Sequence, residues 1–270
     1  MAITSTHPSY FASKYGPWAL VTGASDGIGR SFAIELAKSG IHVVLVARRL
    51  AELERIADSL RTTYGVQCQV VPADLSSNEG IAQVIDGMKD FDVGLVVCAA
   101  GFGTAGPFLH GNLANELDMI QVNCSALTSI AWTMGNRLIE RGKGGIILLS
   151  SIVAFQGVAR SAHYAATKAY VQTLAEGLRI EWKRHGVDVL SVAPGPVNTG
   201  FAARSNLTMG NAASPSVIAA QSLRALGKQW TVRPGWLSKL LGHSLAMTPR
   251  FIRIRIMALV MGGMTKHLGT

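Results

Sequence analysis

Tyr164 and Lys168 stand four residues apart in the run Tyr164-Ala-Ala-Thr-Lys168. The surrounding stretch, roughly residues 160–185, is Ala-rich and apolar at helical spacing, which places both side chains on one helix face. A phenol ordinarily titrates near pH 10 and is a poor acid at neutral pH. A cation one helical turn away stabilises the phenolate and lowers that value. Such a pair can hand a proton to an alkoxide forming from a carbonyl. The same spacing also suits a core tyrosine beside a solvated lysine, so the elements around the pair must decide between the two.

Those elements alternate along the chain. Trp18-Ala-Leu-Val-Thr22 is a short apolar strand that breaks into Gly23-Ala-Ser25-Asp26-Gly27-Ile28-Gly29, and apolar residues then recur at helical spacing as far as Ser39-Gly40. Glycines allow a tight turn and close backbone approach to a pyrophosphate, and the following helix aims its free N–H groups at the phosphates. The spacing is Gly-x-x-x-Gly-x-Gly rather than the commoner Gly-x-Gly-x-x-Gly. Ile41 to Ala47 reads as a buried parallel strand. Beyond it come Arg48 and Arg49, where an NAD enzyme would place a carboxylate on the ribose. Two guanidiniums favour a 2′-phosphate and hence NADP, with Arg48 the better candidate; the alternative is that both simply open a helix over 49–64 as solvated charges.

A third strand, Val66 to Val71, leads to Asp74-Leu75, where the carboxylate suits an adenine amino group or the capping of a helix near Ser76, with Ser76 and Glu79 at capping-box spacing. Val93 to Val97 is a fourth strand that opens into Cys98-Ala99-Ala100-Gly101. A helical stretch from about Asn112 to Arg141 carries the polar Asn123 in its middle. Gly145 to Ser151 forms a fifth strand ahead of the Tyr164 helix, and Val187 to Ala193 a sixth, ending in Pro194-Gly195-Pro196-Val197-Asn198-Thr199. With no linker and no internal repeat from 17 to 193, the pattern predicts one α/β domain built on a doubly wound parallel sheet. Ligands in such sheets sit beyond the carboxyl ends of the strands, and each residue named above is at such an end or on the next helix.

Composition sets the bounds. Hydrophobic residues make up 49% of the 270 and charged ones 15%, in keeping with buried parallel strands or with a surface made for lipid or another subunit. The net charge of +9 belongs to the last quarter: residues 201–270 hold nine Lys or Arg and no Asp or Glu, against 16 of each sign in 1–200. Without a recognition motif or aromatic interleaving, nucleic acid is not the expected partner. An anionic membrane surface, anionic substrate or acidic partner suits this charge better. Cys68, Cys98 and Cys124 lack metal-ligand spacing and read as reduced thiols of a cytoplasmic protein. The polar start and the shortness of the apolar runs predict neither secretion nor a membrane span.

Thr22-Gly23-Ala-Ser-Asp-Gly27-Ile-Gly29, Asp74, Ala100-Gly101, Asn123, Ser151, Tyr164-x-x-x-Lys168 and Pro194-Gly195 together resemble the short-chain dehydrogenase/reductase family over about 17–200. The resemblance implies a Rossmann fold, with 17–200 as cofactor and catalytic core and 201–270 as a helical substrate or lid extension. It implies Tyr164 as general acid for reduction and base for oxidation. Lys168 would lower the Tyr164 pKa and bind the nicotinamide ribose. Ser151 would hydrogen-bond the substrate carbonyl, and Asn123 would break its helix and hold a relay water. Family spacing selects Ser151 over Ser150. Gly23, Ser25, Asp26, Gly27, Ile28, Gly29, Arg48, Asp74, Leu75, Ala100, Gly101, Pro194, Gly195, Val197 and Thr199 complete the expected cofactor set, Thr199 at the carboxamide, and no metal is implied.

Two positions depart from the family pattern. Cys98-Ala99 replace an Asn pair that helps fix the adenosine region, and Asp26 stands where NADP-preferring members often carry a basic residue, leaving that preference to Arg48. The lead-in and tail look like the branch of 3-oxoacyl-CoA reductases and 17β-hydroxysteroid dehydrogenases. A hydrophobic ketone or alcohol as substrate is the expectation, with a dimer or tetramer as the assembly. Residues 236–264 form a candidate lid, subunit interface or basic contact with a membrane surface. The alternative in a different class is a sensor or scaffold that binds NADP(H) without turnover.

Overall fold

The computed structural model describes residues 8–201, 205, 212–236, 238–240, 242 and 247–266. Parts of the 236–264 segment singled out above lie outside them.

After a short lead-in helix, α1 (Pro8–Tyr15), strands and helices alternate as β1 (Trp18–Thr22), α2 (Gly27–Lys38), β2 (His42–Ala47), α3 (Leu50–Tyr64), β3 (Cys68–Pro72), α4 (Asn78–Asp86) and β4 (Val93–Cys98). Next come α5 (Leu113–Ile120), a π-helical turn (Gln121–Ala126), α6 (Leu127–Arg141), β5 (Gly144–Leu149), α7 (Ala162–Lys183), β6 (Val187–Val192), α8 (Pro215–Ala225), β7 (Thr231–Val232) and α9 (Arg250–Met264). The strands form one seven-stranded sheet in the order β3-β2-β1-β4-β5-β6-β7, parallel throughout. Every residue of β4 and β5 is buried, because helices cover both faces of the sheet.

Local chemistry explains the elements nearest the glycine turn. Asp26 caps α2 by accepting from the Gly27 N–H at 2.7 Å, and α2 buries Gly29, Phe32, Ala33, Leu36 and Ala37 at helical spacing before it ends at Ser39 and the left-handed Gly40. α7 buries a stripe of Ala165, Lys168, Val171, Gln172 and Ala175 against the sheet, so that one cation is carried into the core with the apolar residues.

Two readings of the sequence need correction. A seventh strand exists: Thr231 and Val232 pair with Ser191 and Val192, where the extension beyond residue 200 was expected to be helical. The cap of α4 is Ser77, which accepts from the Gly80 N–H at 3.0 Å, so Ser76 and Glu79 form no capping box. The 112–141 stretch is two α-helices joined by a π turn that holds Asn123.

Candidate active site

The strand order reverses between β1 and β4, and the crevice at that reversal is where an open α/β sheet receives its ligand. Thr22, the last residue of β1, ties the two strand ends together: its hydroxyl accepts from the Ala100 N–H at 3.0 Å and approaches the Val97 carbonyl at 3.5 Å. Gly23 sits in the left-handed region at φ +69°, and a Cβ there would lie 2.9 Å from the Ala100 nitrogen. At Gly29 a Cβ would come 2.2 Å from the Gly23 carbonyl oxygen, so the turn closes on the start of α2 only with glycine at both places.

A cavity of about 500 Å³ opens beyond these strand ends. Gly23, Ser25, Asp26, Gly27, Ile28, Gly29, Arg48, Asp74, Leu75, Ala100, Gly101 and Thr199 all line it. Pro194, Gly195 and Val197 stand outside its wall; they hold the loop after β6, where the Pro194 carbonyl accepts from Ile152, Gly195 donates to the Ser238 hydroxyl at 2.8 Å, and Val197 bridges to Ala213. Asp74 turns the chain after β3 by accepting from the Ser76 N–H and hydroxyl at 3.0 and 2.9 Å. Arg49 also reaches the wall, with its guanidinium 3.4 Å from the Ser25 hydroxyl. Sequence reasoning set Arg49 behind Arg48, and it missed Phe102, Asp118 and Val122 as lining residues. The sequence position of Phe102, next to Gly101, was the available signal.

The proton-handling groups gather beside this cavity. Tyr164 and Lys168 lie one turn apart on α7, with the Lys168 ammonium 5.7 Å from the phenol ring centre. Lys168 donates to the Leu149 carbonyl, the end of β5, at 2.8 Å. Ser151 caps the short 3₁₀ turn Ile152–Phe155 and hydrogen-bonds the Tyr164 hydroxyl. Its neighbour Ser150 is spent on the Lys168 carbonyl at 3.0 Å. Phe201 lines the cavity and packs its ring 5.4 Å from that of Tyr164, so phenol and cavity share a wall.

Asn123 lies in the π turn. Its side chain accepts from the Phe102 N–H at 3.1 Å and donates to the Phe102 carbonyl at 2.9 Å and the Thr167 hydroxyl at 3.0 Å. Both amide protons are therefore used, and the carbonyl oxygen keeps one further lone pair. A Cβ on Gly101 would lie 2.9 Å from that oxygen and 3.3 Å from the Lys168 nitrogen, so glycine keeps open the space between them.

The electrostatics depart from the expectation in one respect. Burial pushes the Tyr164 phenol up to about 12 and outweighs the hydrogen bond from Ser151, which draws it down. Burial also depresses the Lys168 ammonium to about 8. In the chain alone, then, the phenol does not fall below its ordinary value despite the cation four residues away, because burial dominates. Burial likewise pushes the Cys98 thiol up to about 12 and Cys68 to about 11, and it raises Cys124. These thiols are held in their protonated form. Among the described residues no group of acids, histidines and cysteines is arranged to hold a metal.

The cavity fits a dinucleotide. The glycine cradle admits backbone N–H groups to a pyrophosphate, two guanidiniums stand at one end, and Gly101 leaves room beside Lys168 at the other.

A family model described as short chain dehydrogenase matches residues 17–210. The very-long-chain 3-oxoacyl-CoA reductase-like protein At1g24470 of Arabidopsis thaliana is 32% identical over 251 residues, covering 87% of this chain and 78% of that protein. Among solved structures, a 7beta-hydroxysteroid dehydrogenase superposes with a TM-score of 0.85 at 27% identity, over 92% of this chain and 98% of that one. A short-chain dehydrogenase from Sphingobium yanoikuyae in complex with NADPH gives a TM-score of 0.76 at 28% identity, over 81% and 87%. With its seven-stranded parallel sheet, glycine turn and Tyr164-Lys168 pair, the chain belongs to the short-chain dehydrogenase family of oxidoreductases.

Proposed function

We propose that this chain is an NADP(H)-dependent oxidoreductase that reduces a ketone, or oxidises the matching secondary alcohol, on a hydrophobic substrate such as a 3-oxoacyl thioester or a steroid-like carbonyl. The observation that carries the reading is the meeting of Ser151, Tyr164 and Lys168 beside a dinucleotide-sized cavity walled by the glycine turn and by Arg48 and Arg49. The nearest lines of support are the named 3-oxoacyl-CoA reductase relative, the hydroxysteroid dehydrogenase structure and the NADPH complex. Residues 17–200 serve as cofactor and catalytic core, and residues 201–270 as the extension beside the substrate.

The nicotinamide, when bound, supplies or takes the hydride. Every other task falls to the chain. Gly23 to Gly29 and the start of α2 hold the pyrophosphate, Arg48 the 2′-phosphate with Arg49 beside it, Asp74 and Leu75 the adenine, and Thr199 the carboxamide. Ser151 donates to the substrate carbonyl, and Tyr164 gives its proton to the oxygen as negative charge develops there. Lys168, lying between Gly101 and Leu149, binds ribose hydroxyls and keeps positive charge near the phenol. The Asn123 carbonyl oxygen, which lies beside the same space, receives a water that relays protons to Lys168. A phenol raised to about 12 stays protonated near neutral pH yet is still more acidic than an ordinary alcohol. In that state it holds the proton that carbonyl reduction requires.

Exposed Leu113 and Leu117 on α5, Trp132 on α6 and Tyr170 and Ile180 on α7 support a homo-oligomer formed through these helices. The chemistry is tested with Tyr164→Phe. Turnover of NADPH with bulky ketones should fall by about 10²–10⁴-fold while NADPH binding persists. Turnover kept in that variant overturns the assignment. A wild-type protein that binds NADPH yet reduces nothing in a broad carbonyl panel would favour a non-catalytic sensor.

A further inference from the structure

The C-terminal helix α9 is held to the molecule along one narrow side. Met257 and Met261 are buried with Val158 and Ala165, and Arg160 donates to the carbonyl and hydroxyl oxygens of Thr265, just past the helix end, at 3.1 and 3.0 Å. At about 100° per residue, the arc opposite the buried methionines holds Phe251, Ile252, Arg255, Ile256 and Leu259. All five are exposed, Leu259 at 79% and Phe251 at 60%. A helix on a water-facing surface ordinarily turns its polar residues outward. This one turns out aliphatic and aromatic side chains, with an arginine among them.

Charge narrows what can cover that face. The last seventy residues carry nine basic and no acidic side chains, and Arg250 and Arg255 are exposed on α9 itself. A second copy pairing like face to like face would bring arginine against arginine with no carboxylate from this segment between them, and α5, α6 and α7 already offer exposed apolar residues for self-association. An anionic bilayer supplies an acyl layer for the apolar arc and phosphates for the arginines. With 15 residues, α9 is about 22 Å long, short of the roughly 30 Å hydrocarbon core, so it would lie in the interface plane rather than cross it.

We propose that α9 docks the protein, apolar arc downward, on an anionic lipid surface. The segment beneath α9, residues 153–165, joins Ser151 to Tyr164, so docking brings the carbonyl site to the lipid–water boundary where water-insoluble ketones collect. That last consequence rests on the reductase reading; the docking does not.

The test is sedimentation of the full chain with vesicles of phosphatidylcholine alone or mixed with phosphatidylglycerol, with no turnover needed. Binding to the anionic vesicles, weakened by salt, is expected. Leu259→Glu should lower it by more than about tenfold, since an apolar side chain leaves the acyl layer. Arg255→Gln should lower it by about fivefold on anionic vesicles. Both variants should keep the wild-type circular dichroism and NADPH binding. Absence of binding to anionic vesicles, or equal binding by Leu259→Glu, overturns the proposal. So does concentration-dependent self-association that Leu259→Glu abolishes, which would make α9 a contact between copies. Failure of Tyr164→Phe to stop turnover would strike the catalytic reading and leave this result untouched.

Discussion

Replacing Arg48 by Ala tests the choice of cofactor. Arg48 follows the last residue of β2 and, with Arg49, lines the cavity on the side facing Ser25 of the glycine turn. Both arginines are exposed, so a guanidinium–phosphate contact there is worth about 1–2 kcal/mol, below the figure for a buried charged hydrogen bond. That range corresponds to roughly a 5- to 30-fold loss of NADPH affinity. NADH lacks the 2′-phosphate and should bind within about twofold of wild type in the same variant. Arg49→Ala should cost less, because its guanidinium is already shared with Ser25 at 3.4 Å. Titration of cofactor fluorescence with both nucleotides gives the ratios directly, and raising the salt should shrink the NADPH preference by screening the exposed pair. A wild-type protein without NADPH preference, or an Arg48→Ala protein that keeps it, refutes the two-arginine reasoning.

Stability should depend on alkaline pH in a way set by buried groups. Lys168 is depressed to about 8 from an ordinary 10.5, so above pH 8 the unfolded chain binds more protons at this site and stability rises with pH. Cys68 and Cys98 are raised to about 11 and 12 from 9.0, and Tyr164 to about 12 from 10.0, so through their titration the folded chain binds more protons and stability falls. Urea midpoints of the cofactor-free protein should therefore be greatest between about pH 8 and 9, and the rise on the lower side should vanish in Lys168→Met. Gly101→Ala would push a methyl to 2.9 Å from the Asn123 oxygen and 3.3 Å from the Lys168 nitrogen. It should destabilise by about 1–3 kcal/mol and reduce turnover, read by denaturant unfolding and NADPH consumption; unchanged activity would show that the space between the two groups is idle.

Elements with long, regular patterns were legible from the sequence. The glycine turn, six strands and the α7 helix all announce themselves by runs of apolar residues bounded by glycine or polar breaks. β7 could not be read this way, since two residues carry no period and their strand character comes from pairing with Ser191 and Val192. The capping of α4 was misplaced by one residue because Ser76 and Ser77 are chemically alike, and the turn made by Asp74 decides which of them faces the helix. At the site, residue identity predicted the gathering of Ser151, Tyr164 and Lys168, but not the phenol's upward shift. That shift comes from burial, which leaves no trace in the spacing of Tyr-x-x-x-Lys.

The π turn at Gln121–Ala126 has a consequence for how this chain tolerates change in length. A single π turn is an α-helix that has taken in one extra residue, with the surplus absorbed locally. Loss of one residue within 121–126 would therefore let α5 and α6 continue as one uninterrupted helix with each flank still in register with its neighbours. Elsewhere in a buried helix the same deletion would rotate everything downstream by about 100°. The deleted form would keep its core and lose the inward set of Asn123 against Phe102 and Thr167. At this place, one residue of chain length separates a site from a scaffold.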